Sequence, residues 1–195
     1  MKVTIERAAL LKALAHAQSV VERRNTIPIL ANIRLTAEGS HLSLTATDLD
    51  LSIVEVTEAA VSAAGSTTAP AHMLYDIARK LPEGAQVELD STAKEGQLTL
   101  RAGRSTFGLA SLPVEEFPVV GQTEGGNTFT VAARDLRSLI DRARFAISTE
   151  ETRYYLNGIY LHATENEGVP VLRAVATDGH RLARVEIPLP DGADG

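Results

Sequence analysis

The stretch Ala174-Val175-Ala176-Thr177-Asp178-Gly179-His180-Arg181-Leu182-Ala183 reads as a strand, a tight Asp-Gly turn and a second strand. An Asp-Gly pair between two apolar runs is a strong short-range hairpin signal. His180, Arg181 and Leu182 follow the glycine at once, so an imidazole, a cation and an aliphatic group share one exposed corner. The chain uses the same pattern once before. Ala46-Thr47-Asp48-Leu49-Asp50-Leu51 has the same Ala-Thr-Asp core and also runs into an apolar strand, but it lacks the glycine, histidine and arginine. A repeated frame with one decorated copy points to a scaffold duplicated and then specialised.

The repeat extends outward from both corners. Val3 to Glu6 alternates as a strand should, and Arg7 to Val21 places Leu10, Leu11, Leu14, Ala17 and Val21 at helical spacing. Strands follow at Ile27 to Thr36, His41 to Thr47 and Leu49 to Val56, with a small-residue turn at Ala63 to Ser66. From Phe129 the opening returns: Phe129-Thr130-Val131 matches Val3-Thr4-Ile5 as a strand, and a helix from Arg134 to Ile147 sets Leu136 over Leu10. Leu156, Ile159 and Leu161 fall over Leu30, Ile33 and Leu35 at the same offset of 126. The aspartates Asp48 and Asp178 are offset by 130, which places four extra residues in a loop at Thr164 to Pro170. One offset held across a strand, a helix and a second strand indicates an internal duplication.

Between the two copies lies another unit of the same order. Thr67 to Pro70 is a short strand, His72 to Leu81 a helix ended by Pro82-Glu83-Gly84, and Val87 to Asp90, Gln97 to Ala102 and Ser105 to Leu112 are strands. Pro113 to Gly126, with two prolines and three glycines, is the best linker. The expected fold class is α+β, in repeated β-α-β-β-β units. The expected division is 1–120, a linker at 121–127, and 128–195.

At 195 residues with 44% hydrophobic and 23% charged residues, the chain can bury a core of ordinary soluble type. Zero cysteines exclude disulfides and thiolate metal sites. The N-terminus carries no signal-peptide pattern, and no run approaches the roughly 18 apolar residues of a membrane helix. The reading is cytoplasmic, with no membrane partner. A net charge of −6 argues against a generic basic nucleic-acid coat. Placement qualifies that sum: Arg7, Lys12, Arg23, Arg24, Arg79, Lys80, Arg134, Arg137, Arg142 and Arg144 lie in or beside the three helices. On the Arg134 helix, Leu136, Leu139, Ile140, Ala143 and Ile147 gather on one side and the four arginines on the other. Such a face either solubilises the helix or meets phosphates.

Asp178 and His180 invite a catalytic or metal-binding reading, yet neither has a partner set. No His-x-x-x-His, cysteine ligand, Gly-x-Ser-x-Gly or phosphate-cradling glycine loop accompanies them. An Asp opening a tight turn usually bonds its own backbone. No cofactor or metal is expected, and the enzyme hypothesis stands as the disfavoured rival. Tyr154-Tyr155 is the only adjacent aromatic pair; strand alternation sends one inward and leaves the other to stack on a base or sugar.

The stretches Arg153-Tyr154-Tyr155-Leu156-Asn157-Gly158 and Ala176 to Leu182 together resemble the bacterial sliding clamp, the beta subunit of the replicative DNA polymerase III. Thr26-Ile27-Pro28-Ile29-Leu30, Leu81-Pro82-Glu83-Gly84 and Gly103-Arg104-Ser105 resemble it too, so the likeness runs along the whole chain. The resemblance implies a DNA clamp fold with an outer antiparallel sheet and helices facing a DNA channel. It further implies a non-catalytic processivity factor, a homodimeric ring of three-domain chains in its full-length form, of which this chain matches the first domain and half of the second. Implied partners are duplex DNA and, through short linear peptides, the replicative polymerase, clamp loader and repair proteins. The implied peptide pocket is Leu156, Thr177, Gly179, His180, Arg181 and Leu182, and its other half belongs to the third domain. Family positions touching DNA correspond to Arg24, Tyr154 and Tyr155. His72 and Glu150 stand at two further such positions with a departing residue type, and Arg137 and Arg142 extend the set on the helix. Arg104, Phe107 and Leu109 correspond to the dimer edge. A peptide-binding module that never encircles DNA is the alternative.

Overall fold

The computed structural model describes residues 1–22, 26–118 and 128–193. The chain divides into two compact units, Met1–Gly121 and Gln122–Gly195. The first unit holds β1 (Lys2–Glu6), α1 (Arg7–Ala17), β2 (Asn32–Glu38), β3 (His41–Thr47), β4 (Ser52–Glu58) and β5 (Ala60–Ala63). A second run follows within it: β6 (Gly65–Pro70), α2 (Ala71–Lys80), β7 (Gln86–Asp90), β8 (Gln97–Ala102) and β9 (Ser105–Ala110). The strands form two antiparallel sheets, ordered β5-β1-β7-β8-β9 and β4-β3-β2-β6. Inward residues of both sheets, among them Ile5, Ile33, Leu35, Leu42, Leu44, Leu89, Leu98 and Leu100, meet Leu10 and Leu14 of α1 and Leu74 of α2 in one core. Glu6 starts α1 by accepting the amides of Ala8 and Ala9 at 2.9 and 3.2 Å. The Arg7 guanidinium donates to the carbonyls of Ala78 and Arg79 at 3.0 and 2.8 Å, satisfying the end of α2 with a cation at its negative pole.

The second unit holds α3 (Ala133–Ala143), β10 (Tyr160–Asn166), β11 (Val169–Thr177) and β12 (Leu182–Pro188), with one sheet ordered β10-β11-β12. Leu139 and Ala143 of α3 pack on Leu172, Ala174, Ala176, Ala183 and Val185. The duplication holds residue by residue. α3 lies 126 residues after α1 at both ends, and each helix passes into a single 3-10 turn, Gln18–Val20 and Arg144–Ala146, at that same offset. The strand pair Arg34↔Thr45 recurs as Tyr160↔Val175, and Thr47↔Ser52 as Thr177↔Leu182.

The four extra residues do not form a loop at Thr164 to Pro170. They lengthen the hairpin: the β2–β3 ladder closes at Glu38↔His41, whereas β10–β11 runs on to Asn166↔Val169, two rungs further. Two residues added to each strand preserve the side-chain alternation, so neither face is turned over. Phe129–Val131 is not a strand. Its counterpart β1 is held between β5 and β7, and the described residues of the second unit contain no strand for it to pair with. Ile140 is exposed because its counterpart Leu14 sits where α1 runs beside α2, and no second helix flanks α3 among the described residues. Pro28–Ala31 forms a 3-10 turn ahead of β2, Ala60–Ala63 adds an edge strand to β1, and the turn expected at Ala63 to Ser66 shrinks to Ala64 between β5 and β6. The linker at 121–127 lies outside the described residues.

The two Thr-Asp corners share a left-handed backbone position and differ in the residue that occupies it. Gly179 has φ +89° and its counterpart Leu49 has φ +83°, where an L side chain is strained by about 1–2 kcal/mol. Leu49→Gly relieves that strain and loses about 0.5–1 kcal/mol to chain entropy, so a net gain of about 0.5–1 kcal/mol is expected in urea unfolding. Gly179→Ala should destabilise by about 1–2 kcal/mol in the same assay, since its Cβ would also stand 3.1 Å from Arg153 Nη1.

Candidate functional site

The corner between β11 and β12 is a four-residue loop, Asp178 to Arg181, rather than a two-residue turn, because Thr177 pairs with Leu182. Two side chains shape it. Asp178 Oδ1 accepts the amides of His180 and Arg181 at 2.9 and 3.0 Å. The Thr177 hydroxyl donates to the Arg181 carbonyl at 2.8 Å and accepts the Gly179 amide at 3.1 Å. The earlier corner repeats all four bonds: Asp48 Oδ1 takes the Asp50 and Leu51 amides, and Thr47 bridges the Leu51 carbonyl and the Leu49 amide. The scaffold is one structure used twice, and the side chains mounted on it differ.

On the decorated corner, Arg181 Nε lies 2.9 Å from Asp178 Oδ2 and its guanidinium sits 5.7 Å from the centroid of Phe145. Arg153 donates to the Asp178 carbonyl at 3.3 Å and pairs with Glu150 at 3.1 Å, tying the 3-10 segment Glu151–Leu156 to the loop. His180 and Leu182 are exposed. A groove of about 250 Å³ opens beside the corner, lined by Tyr155, Leu156, Gly158, Ile159, Val175 and Thr177 among others. Leu156 and Thr177 therefore share one concavity, and Gly179, His180, Arg181 and Leu182 continue from Thr177 around the bend. Phe145 and Arg153 were not singled out by sequence. Phe145 follows the helix on the arginine-rich side, where a large apolar residue is out of place, and that is the signal that could have found it.

Asp178 carries its loop, with both oxygens engaged, and the His180 ring makes no hydrogen bond. No cluster of three metal-ligating side chains occurs among the described residues, and no helix there is long and apolar enough to cross a membrane.

Among the basic-face residues, Arg134, Arg137 and Arg144 are exposed and paired with Asp135 or Asp141 at 3.2–3.7 Å, while Arg142 is exposed and makes no ion pair. Arg24 lies outside the described residues. His72 is half-buried, with Nδ1 3.0 Å from Gln18 Oε1 and Nε2 2.8 Å from the Val21 carbonyl, so its ring serves the fold. Glu150 faces Arg153. Tyr154 and Tyr155 are both exposed, 79% and 71%, and meet edge to face at 5.8 Å. The expectation that one of them would be buried fails because they lie on a 3-10 turn, where strand alternation does not apply. On the β9 edge, Arg104 is exposed in the preceding turn and Phe107 borders a groove with Met73, Ile77, Leu81 and Pro82. Leu109, by contrast, points into its own unit's core and offers no side chain to a partner.

A chain built from repeated β-α-β-β-β units, with helices packed on antiparallel sheets, has the build of a DNA-clamp protein. It belongs to the DNA polymerase III beta subunit family: the model of that subunit's N-terminal domain matches residues 1–121, and that of its central domain residues 130–195. The chain is 57% identical over 195 residues to the beta sliding clamp of Caulobacter vibrioides and 40% identical over 190 residues to that of Escherichia coli. It spans about half the length of these relatives, 52% and 50%. Among solved structures, the Caulobacter crescentus pol III beta superposes with a TM-score of 0.93 at 57% identity, covering 100% of this chain and 53% of that one. A Bartonella birtlesii sliding clamp bound to griselimycin superposes with a TM-score of 0.93 at 45% identity, covering 100% of this chain and 52% of the other.

The Asp178 carboxyl is held down to about 2, from an ordinary value of 3.8, by the Arg181 and His180 amides and then by the Arg181 side chain. A depressed carboxyl stabilises its loop fully above the ordinary value, and that contribution is lost as pH falls through about 2. NMR titration should show the His180 and Arg181 amides moving with a midpoint near 2, with the titration absent in Asp178→Asn.

Proposed function

We propose that this chain is the N-terminal portion of a sliding clamp that encircles duplex DNA and tethers the replicative polymerase and other partners. The clamp is a processivity factor with no catalytic step of its own. In this reading residues 1–120 are its first domain, 121–127 a linker and 128–195 the first half of the second. The observation that carries it is the pair of Thr-Asp corners. The two have one backbone and one hydrogen-bond set, yet only the second mounts His180, Arg181 and Leu182 beside an open groove. An apolar floor at Leu156 and Ile159, with exposed Leu182 and the Arg181 cation on the adjoining corner, suits a short peptide carrying bulky apolar residues and an acceptor. Such peptides are how polymerase, clamp loader and repair proteins engage the ring in this reading.

The exposed arginines of α3 and the solvent-facing Tyr154 and Tyr155 supply the second unit's DNA-facing surface, and Arg24, which lies outside the described residues, is a further expected contact. A ring that is closed around DNA has no need of tight binding, so a chain of net charge −6 can retain DNA with few phosphate contacts. Phe107 and Arg104 at the open β9 edge form the surface that meets a second protomer, since an unpaired strand edge is a ready pairing site.

His180→Ala with Leu182→Ala should weaken binding of a fluorescent clamp-binding peptide at least thirtyfold by anisotropy, the scale of losing central anchors, with circular dichroism unchanged. Normal affinity in a folded variant would overturn the groove assignment. In the full-length protein, Arg137→Glu with Arg142→Glu should shorten DNA retention and flatten its salt dependence; unchanged retention would remove α3 from the DNA-facing surface.

A further inference from the structure

Asn157-Gly158 is the only Asn-Gly pair in the chain. A glycine after an asparagine leaves its own backbone nitrogen least hindered for attack on the side-chain carbonyl, because no Cβ shields it. Asn157 ends the 3-10 segment Glu151–Leu156, and its amide donates to the Tyr154 carbonyl at 3.1 Å. Asn157 and Gly158 are both exposed. Neither the Asn157 side-chain amide nor the Gly158 N–H has a hydrogen-bond partner among the described residues. Turning the Asn157 side chain toward the Gly158 nitrogen therefore breaks no hydrogen bond.

Comparable groups elsewhere are held. The Asn32 side chain donates to the Thr68 hydroxyl at 3.1 Å, and Asn32 is buried and precedes the β-branched Ile33. Asn166 donates to Glu186 at 2.9 Å and accepts from Arg184 at 3.2 Å. At Asp178-Gly179 the Gly179 amide is committed to the Thr177 hydroxyl at 3.1 Å. The Asp178 carboxylate is bonded through both oxygens and, being ionised, is a poor target for a nucleophile. Among the described asparagines, Asn157 alone has both its side-chain amide and the following backbone nitrogen free.

We propose that Asn157-Gly158 is a site of spontaneous deamidation on the wall of the groove beside Leu156. The Gly158 nitrogen gives its proton to solvent base and bonds to Asn157 Cγ, while the Cγ–Nδ2 bond breaks and ammonia leaves. Water then opens the cyclic imide at one carbonyl or the other, giving aspartate or isoaspartate. The balance is asparagine plus water to carboxylic acid plus ammonia, with no oxidant or reductant. Gly158 lines the groove with Tyr155 and Leu156, so the product sets a carboxylate at its wall. Isoaspartate also lengthens the backbone there by a methylene.

The test is peptide mapping by mass spectrometry after incubation in mildly alkaline buffer, on the 195-residue chain and on the full-length protein, each kept folded by circular dichroism. The Asn157 peptide should convert in both, faster as pH rises, with isoaspartate detected by enzymatic carboxyl methylation, while the Asn32 and Asn166 peptides stay unconverted. Gly158→Ala should slow the conversion about tenfold or more by shielding the nitrogen. A Cβ at Gly158 meets nothing within 4 Å and its φ lies outside the left-handed region, so this variant should fold. Asn157→Gln, whose longer side chain must close a larger ring, is the second variant and should also stop it. Conversion no faster than at Asn166, an equal rate in Gly158→Ala, or conversion confined to the shorter chain would each overturn the proposal.

Discussion

One carboxylate accepting two backbone amides organises each half of this duplication. A four-residue loop between strands must place several amides and carbonyls without ladder partners. Asp48 and Asp178 each satisfy two of those amides, and the preceding threonine bridges an amide and a carbonyl across the same loop. An Asx turn of this kind fixes the backbone whatever side chains follow. The corner tolerates Leu49 in a left-handed conformation in one copy and uses Gly179 in the other. With the loop so fixed, the residues after it are free to vary, and a duplicated scaffold can carry a recognition surface in one copy alone.

The second constraint is strand pairing. Edges decide which apolar residues are available. β9 and β4 lie at the ends of their sheets, and Phe107, Val54 and Val56 are exposed on them. The hairpin of β10 and β11 absorbs four extra residues as two more rungs because pairs added across a ladder leave every side chain on its original face.

Electrostatics is local throughout. Most arginines of α3 are paired with aspartates on the same helix, which holds the chain's net charge negative while keeping guanidinium groups on one face. His72 shows the converse case: a basic residue type on a helix whose ring nitrogens are taken up by Gln18 and Val21. Residue type alone does not distinguish these. The distinction comes from what lies within 4 Å.

Periodicity and repeat offset, both present in the sequence, determined the α+β class, the three helices, the duplication, and the corner where Thr177 to Leu182 cluster. They did so because helix and strand periods are local and because a duplicated fold preserves residue spacing. The same local logic misread Phe129–Val131, since a strand exists only when another strand pairs with it, and it misread the tyrosine pair, since a 3-10 turn obeys a different period. Only the tertiary structure placed Leu109 in the core, seated Phe145 under Arg181, and laid Leu112 and Phe117 over Ile29 and Leu30. Each of these joins residues distant along the chain, and which distant groups meet is decided by how the sheets and helices pack.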